Sequence, residues 1–245
     1  MKLSVNILNW NCLDVLQDTI HLLNEELVWI DHEIIIVDNG SNAENKDYLF
    51  DLDNKQSNVR IFSLNENKGI SIGKNIGIEH SKGKYILLLD ADVYPVRNSI
   101  NMLMEHLDKT EDCHAIGFYP NKWSNQKNTE TIKYHEDYCY EIFEPKIHTC
   151  PCLFYGIYRK KLFDDGLRMC EEGAYGEEGY GWEDHDFYMR LKEMGYEQWV
   201  AHMNSPKGKY FHAINSSINN EGCMGRAKYM ETSRERAKLF KSRWH

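Results

Sequence analysis

The sequence has no apolar run long enough to cross a bilayer as a helix, which takes about 20 consecutive residues. Its opening residues hold one lysine and then a short apolar stretch broken by Asn6, Asn9 and Asn11. That pattern is neither a secretory signal nor a membrane span. Basic charge is in deficit, with 29 Lys and Arg against 38 Asp and Glu, a formal net charge of -9. Such a balance disfavours a broad phosphate-binding face and makes duplex nucleic acid an unlikely partner, while leaving room for a local basic groove. Internal repeats and low-complexity linkers are also missing, so the 245 residues are expected to form a single domain. The cysteines, at 12, 113, 139, 150, 152, 170 and 223, are odd in number and scattered. In a chain without a secretory signal this implies reduced thiols and a cytoplasmic location. Cys150-Pro151-Cys152 is too tight for the usual zinc spacing, so these residues are read as core filler.

The chain is 42% hydrophobic and 27% charged, which is enough apolar material for a sizeable core. Strand and helix signals alternate over the first ninety residues. Strands are expected at Leu3 to Leu8, Glu33 to Val37, Val59 to Leu64 and from Tyr85 to Leu89. Helices are expected at Val15 to Leu27, Ala43 to Asp53 and Ile70 to His80. Such alternation implies right-handed crossovers and a mainly parallel α/β sheet with helices on both faces. Ligands of such sheets bind at the carboxyl ends of the strands, where Asn9, Asp38, Asn65 and Asp90 stand.

Beyond Asp92 the pattern loosens. Helices are expected at Ser99 to Leu107, Glu183 to Met194 and Arg226 to Phe240. Short strands are expected at Ala115 to Phe118, Leu153 to Tyr158, Gln198 to Ala201 and Lys209 to His212. The segment 120–146 is polar, aromatic and irregular. Segment 171–181, rich in glycine and acid, is expected to be a mobile loop that orders when a ligand binds.

Three clusters carry chemistry. The buried strand Tyr85 to Leu89 runs into Asp90-Ala91-Asp92. Carboxylates are seldom left unpaired in a core, so a pair at a strand end suits a cation, although a plain turn would also use Asp. Asp38-Asn39-Gly40-Ser41 either caps a helix or offers a carboxylate to a ribose or base. Gly181-Trp182-Glu183-Asp184-His185-Asp186 opens a helix with acids. The helix dipole favours acids there, yet aromatic Tyr180 and Trp182 beside carboxylates also suit a sugar.

These motifs together resemble glycosyltransferase family 2, the nucleotide-diphospho-sugar transferases of GT-A fold. Glu33 to Ser41 is similar to the first nucleotide motif. Asn67-Lys68-Gly69 through Asn75-Ile76-Gly77 is similar to the second. Asp90-Ala91-Asp92 resembles the metal-binding pair, and Glu183-Asp184 resembles the acceptor and base motif. The resemblance runs from Leu3 to about His212, with the motifs in the family's order. It implies a GT-A fold with a nucleotide-sugar half at 1–92, an acceptor half at 93–212 and a tail at 213–245.

The resemblance also implies roles. Asn9, Trp10 and Asp38 would line the nucleoside site, with Asn67, Lys68, Gly69 and Asn75 also on the donor side. Asp90 and Ala91 would lie against the donor ribose or sugar. Asp92, with Asp90, would hold Mn²⁺ or Mg²⁺, and His212, in competition with His202, would be a third ligand. Asp184 would be the base of an inverting displacement, while Glu183, Asp186, Trp182 and Tyr180 would face the acceptor. The implied donor is a UDP-sugar, and the implied acceptor is a glycan, lipid-linked saccharide, protein or other hydroxyl-bearing molecule. The string from Tyr180 to Asp184 is most similar to the galactosyltransferase-like and chondroitin-polymerase-like branches, which usually have a small residue where Trp182 stands.

Other readings exist. Asp90 and Asp92 also fit the nucleophile strand of a haloacid-dehalogenase-like phosphatase, but that family opens near this strand, whereas here three strand–helix units precede it. A sugar nucleotidyltransferase would need a glycine-rich, Arg-containing loop after Leu8, which is missing. A non-catalytic sugar-nucleotide-binding module would not need both acidic motifs. The basic residues of the final helix could touch a membrane surface or acidic partner, though a solvated helix face accounts for them.

Overall fold

A computed structural model describes residues 1–95, 97–118, 139–143, 153–172, 182–204, 211–212 and 226–244. The fold is built outward from β1 (Leu3–Asn9), which is hydrogen-bonded in parallel on both sides. One neighbour is β2 (His32–Asp38) and the other is β4 (Tyr85–Asp90). β3 (Val59–Ser63) adds in parallel to the outer side of β2. Three helices make the crossovers: α1 (Leu13–Glu26), α2 (Ala43–Lys55) and α3 (Gly69–His80).

Alternation of side chains sends these strands into two cores. Leu3, Val5, Ile7, Ile34, Ile36, Leu87 and Leu89 pack with Leu16, Ile20 and Leu23 of α1. Ile86 and Leu88 point the other way, into a cluster with Ile78 of α3. On that second face α3 lies so close that a Cβ at Gly77 would run into the Asn6 side chain, and one at Gly73 into Leu8. Helix-to-strand packing thus explains the glycines of the Asn75-Ile76-Gly77 motif.

The remaining elements are β5 (Val93–Tyr94), α4 (Ser99–Lys109), β6 (Ala115–Phe118), β7 (Cys139–Phe143) and β8 (Tyr155–Arg159). After them come α5 (Lys160–Asp164), α6 (Glu183–Glu193), β9 (Gln198–Asn204), β10 (Phe211–His212) and α7 (Arg226–Trp244). The eight-stranded sheet has the order β3-β2-β1-β4-β8-β6-β9-β7. β8 runs antiparallel to both β4 and β6, and β7 antiparallel to β9, while the other strands share one direction. The sheet is continuous across residue 92. A strand, β7, lies within the segment read as irregular, and α7 extends past Phe240 to Trp244. Residues 173–181, most of the expected loop, lie outside the described part of the chain. No described helix is long and apolar enough to cross a membrane. Cys12, Cys113 and Cys170 are buried, and burial pushes the Cys113 thiol up to about 12.

The end of the sheet away from the strand carboxyl termini is tied by Glu33, which is 3% exposed. It accepts hydrogen bonds from Ser4 Oγ at 2.7 Å, Arg60 Nη1 at 2.9 Å and the Lys82 amide at 2.8 Å. Burial works against its ionisation, but these donors together hold its carboxyl below the usual range. Glu26 shows the opposite balance. Its carboxylate caps α4 through the Asn98 and Ile100 amides, at 2.6 and 3.2 Å. Burial nonetheless outweighs these donors and pushes it up to about 7.

The folded state therefore takes up a proton at Glu26 between its ordinary value of 4.5 and about 7. Its contribution to stability is complete below the lower value and declines as pH rises through the upper one. Glu26→Gln should remove this slope. The melting temperature of the variant, relative to wild type, is expected to rise between those pH values. A difference independent of pH would refute the assignment.

Candidate functional site

The parallel register delivers the polar strand ends to one edge. Asn9 pairs with Asp38 across β1 and β2, and Leu8 with Asp90 across β1 and β4. Asn9 Nδ2 lies 3.3 Å from Asp38 Oδ1, 3.2 Å from Ser41 Oγ and 3.4 Å from Asn45 Oδ1. The amide orientation is fixed from outside. Asn42 Oδ1 accepts the Asn45 backbone amide at 3.1 Å and Asn45 Nδ2 at 2.9 Å, so Asn45 turns its carbonyl towards Asn9. Asn9 must then donate inward. Among the described residues, Asn9 Oδ1 and Asp38 Oδ2 remain buried acceptors without a hydrogen-bond partner, as does Ser71 Oγ near the start of α3. Such atoms are costly unless something donates to them.

The β3–α3 loop is latched to this edge. Asn67 Oδ1 accepts Asn39 Nδ2 and the Gly69 amide, both at 2.8 Å, and Asn39 Oδ1 accepts the Lys68 amide at 2.9 Å. Gly40, at φ +77°, lies where a Cβ would be 2.5 Å from the Glu66 backbone, so only glycine permits this approach. The Lys68 ammonium is paired with Glu66, and Trp10 is half-buried beside Asn9. Asn75 faces a different segment. Its Oδ1 accepts the Met169 amide at 2.9 Å, while its Nδ2 donates to Met169 O at 2.9 Å and Glu171 Oε1 at 2.6 Å.

At the end of β4, Asp90 is 37% exposed and lies 2.6 Å from the buried ammonium of Lys74, which also donates to Leu153 O at 3.2 Å. Thr19 Oγ1 donates to Ala91 O at 2.8 Å, fixing the Asp-Ala-Asp turn from α1. Asp92 is 9% exposed. The Tyr94 hydroxyl donates to Asp18 at 3.3 Å. Burial, then the charges of Asp18, Asp92 and Asp14, push its pKa far up, so the field around Asp92 is negative.

The backbone of His212 lies opposite Val93, next in sequence to Asp92. That of His202 lies in β9 opposite Glu141, near the far side of the sheet. Among the described residues, no group of three or more His, Cys, Asp or Glu side chains is gathered to hold a metal. Asp90, already paired with Lys74, and Asp92 are hard oxygen donors, which fits a divalent cation whose other ligands come from phosphate and water.

The third cluster opens α6. Trp182 adopts φ +69° and places its ring 5.1 Å from both Phe240 and His185. Glu183 pairs with Arg236 at 3.1 Å. Asp186, 1% exposed, accepts from Arg190 Nε at 2.6 Å, Arg243 Nη1 at 3.0 Å and Trp244 Nε1 at 2.9 Å, so both of its oxygens are engaged within the protein. Asp184 is half-buried on the same first turn. Tyr180 lies outside the described residues.

Sequence reasoning overlooked Lys74 and Asn45, and took Asn39 and Ser41 only as parts of the Asp38 motif without a role of their own. Lys74 gave a signal, as a lone charge between Gly73 and Asn75 in an otherwise uncharged stretch of helix. Asn39 and Ser41 look like ordinary turn residues, and Asn45 like an ordinary helix residue, until the fold brings them together.

The model of the family described as glycosyl transferase family 2 matches residues 4–167. Glycosyltransferase GlyG of Streptococcus pneumoniae is 32% identical over 110 residues, covering 44% of this chain and 36% of that protein. The dolichyl-phosphate beta-glucosyltransferase of Dictyostelium discoideum is 33% identical over 102 residues, covering 40% and 31%. The chain therefore spans about a third of the length of these curated relatives. Staphylococcus aureus TarS 1–349 in complex with UDP aligns with a TM-score of 0.60 at 18% identity, covering 82% of this chain and 57% of that one. The mannosyltransferase PcManGT of Pyrobaculum calidifontis, in complex with GDP-Man and Mn²⁺, aligns at 0.61 and 13% identity, covering 85% and 58%. At these identities the two structures establish a shared GT-A fold.

Asn75→Ala should leave the Met169 amide and carbonyl without their partner and loosen the segment leading to α6. A loss of about 1–3 kcal/mol is expected, read from urea denaturation. Unchanged stability would show that these hydrogen bonds are replaced by water.

Proposed function

The chain belongs to glycosyl transferase family 2, and from this we propose that it transfers a sugar, with inversion, from a nucleotide-diphosphate sugar to an acceptor hydroxyl. A UDP-sugar is the proposed donor, and a glycan, protein or lipid-linked saccharide the proposed acceptor. One observation carries this reading. The orphaned oxygens of Asp38 and Asn9, the Lys74–Asp90 pair and Asp92 all stand at the carboxyl edge of the parallel strands. Nucleotides bind open α/β sheets at that edge.

In the proposed mechanism, Asp38 and Asn9 accept hydrogen bonds from the nucleoside, and Trp10 walls the same site. The α3 loop, latched through Asn39 and Asn67, presents Lys68 and Gly69 to the diphosphate side. Asp92 and Asp90, with His212 as a third ligand, would hold Mn²⁺ or Mg²⁺, which supplies charge neutralisation for the departing diphosphate. Lys74 keeps Asp90 oriented and lowers the local negative charge. Asp184 takes the proton of the acceptor hydroxyl as its oxygen bonds to the anomeric carbon. The carbon–oxygen bond to the diphosphate breaks on the opposite face, its electrons leaving with the nucleoside diphosphate.

The phosphatase reading would make Asp90 a nucleophile, but three strand–helix units precede its strand. A non-catalytic module would bind UDP and Mn²⁺ without turnover.

Asp92→Ala is expected to abolish Mn²⁺-dependent UDP release from UDP-sugars. Turnover persisting in this variant with EDTA present would end the metal assignment. Asp184→Asn is expected to lower kcat by about 10²–10⁴-fold with little change in donor KM, as befits a base. Equal losses in binding and turnover would remove Asp184 from that role.

A further inference from the structure

Two acids of α6 that do not serve as the base are held by one distant element. Glu183 and Asp186 are three residues apart, so they lie on the same side of the helix, and Asp184 projects about 100° round from Glu183. Both anchoring contacts come from α7. Arg236, a side chain with 0% exposure, grips Glu183, while Arg243 and the Trp244 indole grip Asp186. Holding a helix at two points on one side fixes its rotation about its axis. The direction of a third residue on that turn is fixed with it.

Two further contacts bear on the same turn. Trp182 sits at φ +69°, a conformation L side chains rarely adopt, and Phe240 of α7 packs against its ring. Arg243 also bonds Cys170 Sγ at 3.0 Å and Glu172 at 3.2 Å. The adjoining residues Met169 and Glu171 are held by Asn75 of α3. Hydrogen bonds therefore run from the donor-side helix α3, through segment 169–172 and Arg243, to the first turn of α6. The like charges of Glu183, Asp184 and Asp186 repel one another on that turn, and the two arginines of α7 offset the repulsion. All of these α6 and α7 residues lie beyond the family match, which ends at residue 167.

We propose that α7 is a clamp that sets the rotation of α6, with Arg243 and Arg236 as positioning residues for Asp184. This rests on Asp184 being the base of the reaction proposed above. A positioning error of about 1 Å at a catalytic group costs about a hundredfold in rate.

The test uses the full chain carrying Arg243→Ala, Arg236→Met or Arg243→Lys. UDP release from UDP-glucose and UDP-N-acetylglucosamine is measured with Mn²⁺, alongside amide hydrogen exchange over residues 182–193, UDP binding and thermal melting. Arg243→Ala and Arg236→Met should lower kcat by about a hundredfold with donor KM and UDP affinity unchanged. They should also speed exchange in the first turn of α6. Arg243→Lys, which keeps the charge, should recover part of both effects. An unchanged kcat would overturn the proposal, and so would kcat, KM and global melting all moving together, since that marks a merely structural role. If wild type turns over neither sugar nucleotide, the catalytic clause falls with the functional reading. The exchange data then decide separately whether the clamp exists.

Discussion

Everything at the functional edge depends on β1 being paired in parallel on both sides. That single register puts Asn9 beside Asp38 and Leu8 beside Asp90, so polar residues far apart in sequence end on one rim. A slip of one residue would send Leu3, Val5 and Ile7 to the wrong face and bury the acids among apolar side chains. The hydrophobic pattern of the strands therefore enforces the position of the chemistry. Glu33 reinforces it from the opposite end by tying β1, β2, β3 and the turn into β4.

The two sides of the site are held differently. On the donor side, the groups sit directly on strand ends or on loops latched to them, and backbone amides set the side-chain orientations of Asn39, Asn42 and Asn67. That rigidity suits a ligand with a fixed pattern of hydrogen-bond donors. On the acceptor side, the acids stand on a helix whose orientation is controlled by side chains from α7. Here the geometry is set by ion pairs, the Trp244 indole hydrogen bond and aromatic contacts of Phe240 rather than by a hydrogen-bonded sheet.

Much of the first ninety residues is legible from sequence because each strand is short, apolar and closed by a polar turn, and each helix has its own spacing. The observed bounds of β1 to β4 and α1 to α3 differ from that reading by a residue or two at their ends. The strand β7 was hidden because its pairing with β9 joins residues about sixty apart in the chain, and its local sequence carries no alternation strong enough to announce it. Lys74 was missed for a related reason. Its partner, Asp90, lies on the next strand, and only helix-to-sheet packing reveals the pair.

Composition and periodicity determined the α/β class, the crossover order and the expectation that acids gather at strand ends, because these follow from local sequence. The assignment to a transferase family rested on motifs in order. Tertiary structure decided which of those motif residues hold one another: Asn75 on the backbone before α6, Asp186 beneath Arg243 and Trp244, and Glu183 under Arg236. No local rule could give these partners. They depend on how α7 docks some fifty residues later, and docking is fixed by burial and charge compensation across the fold.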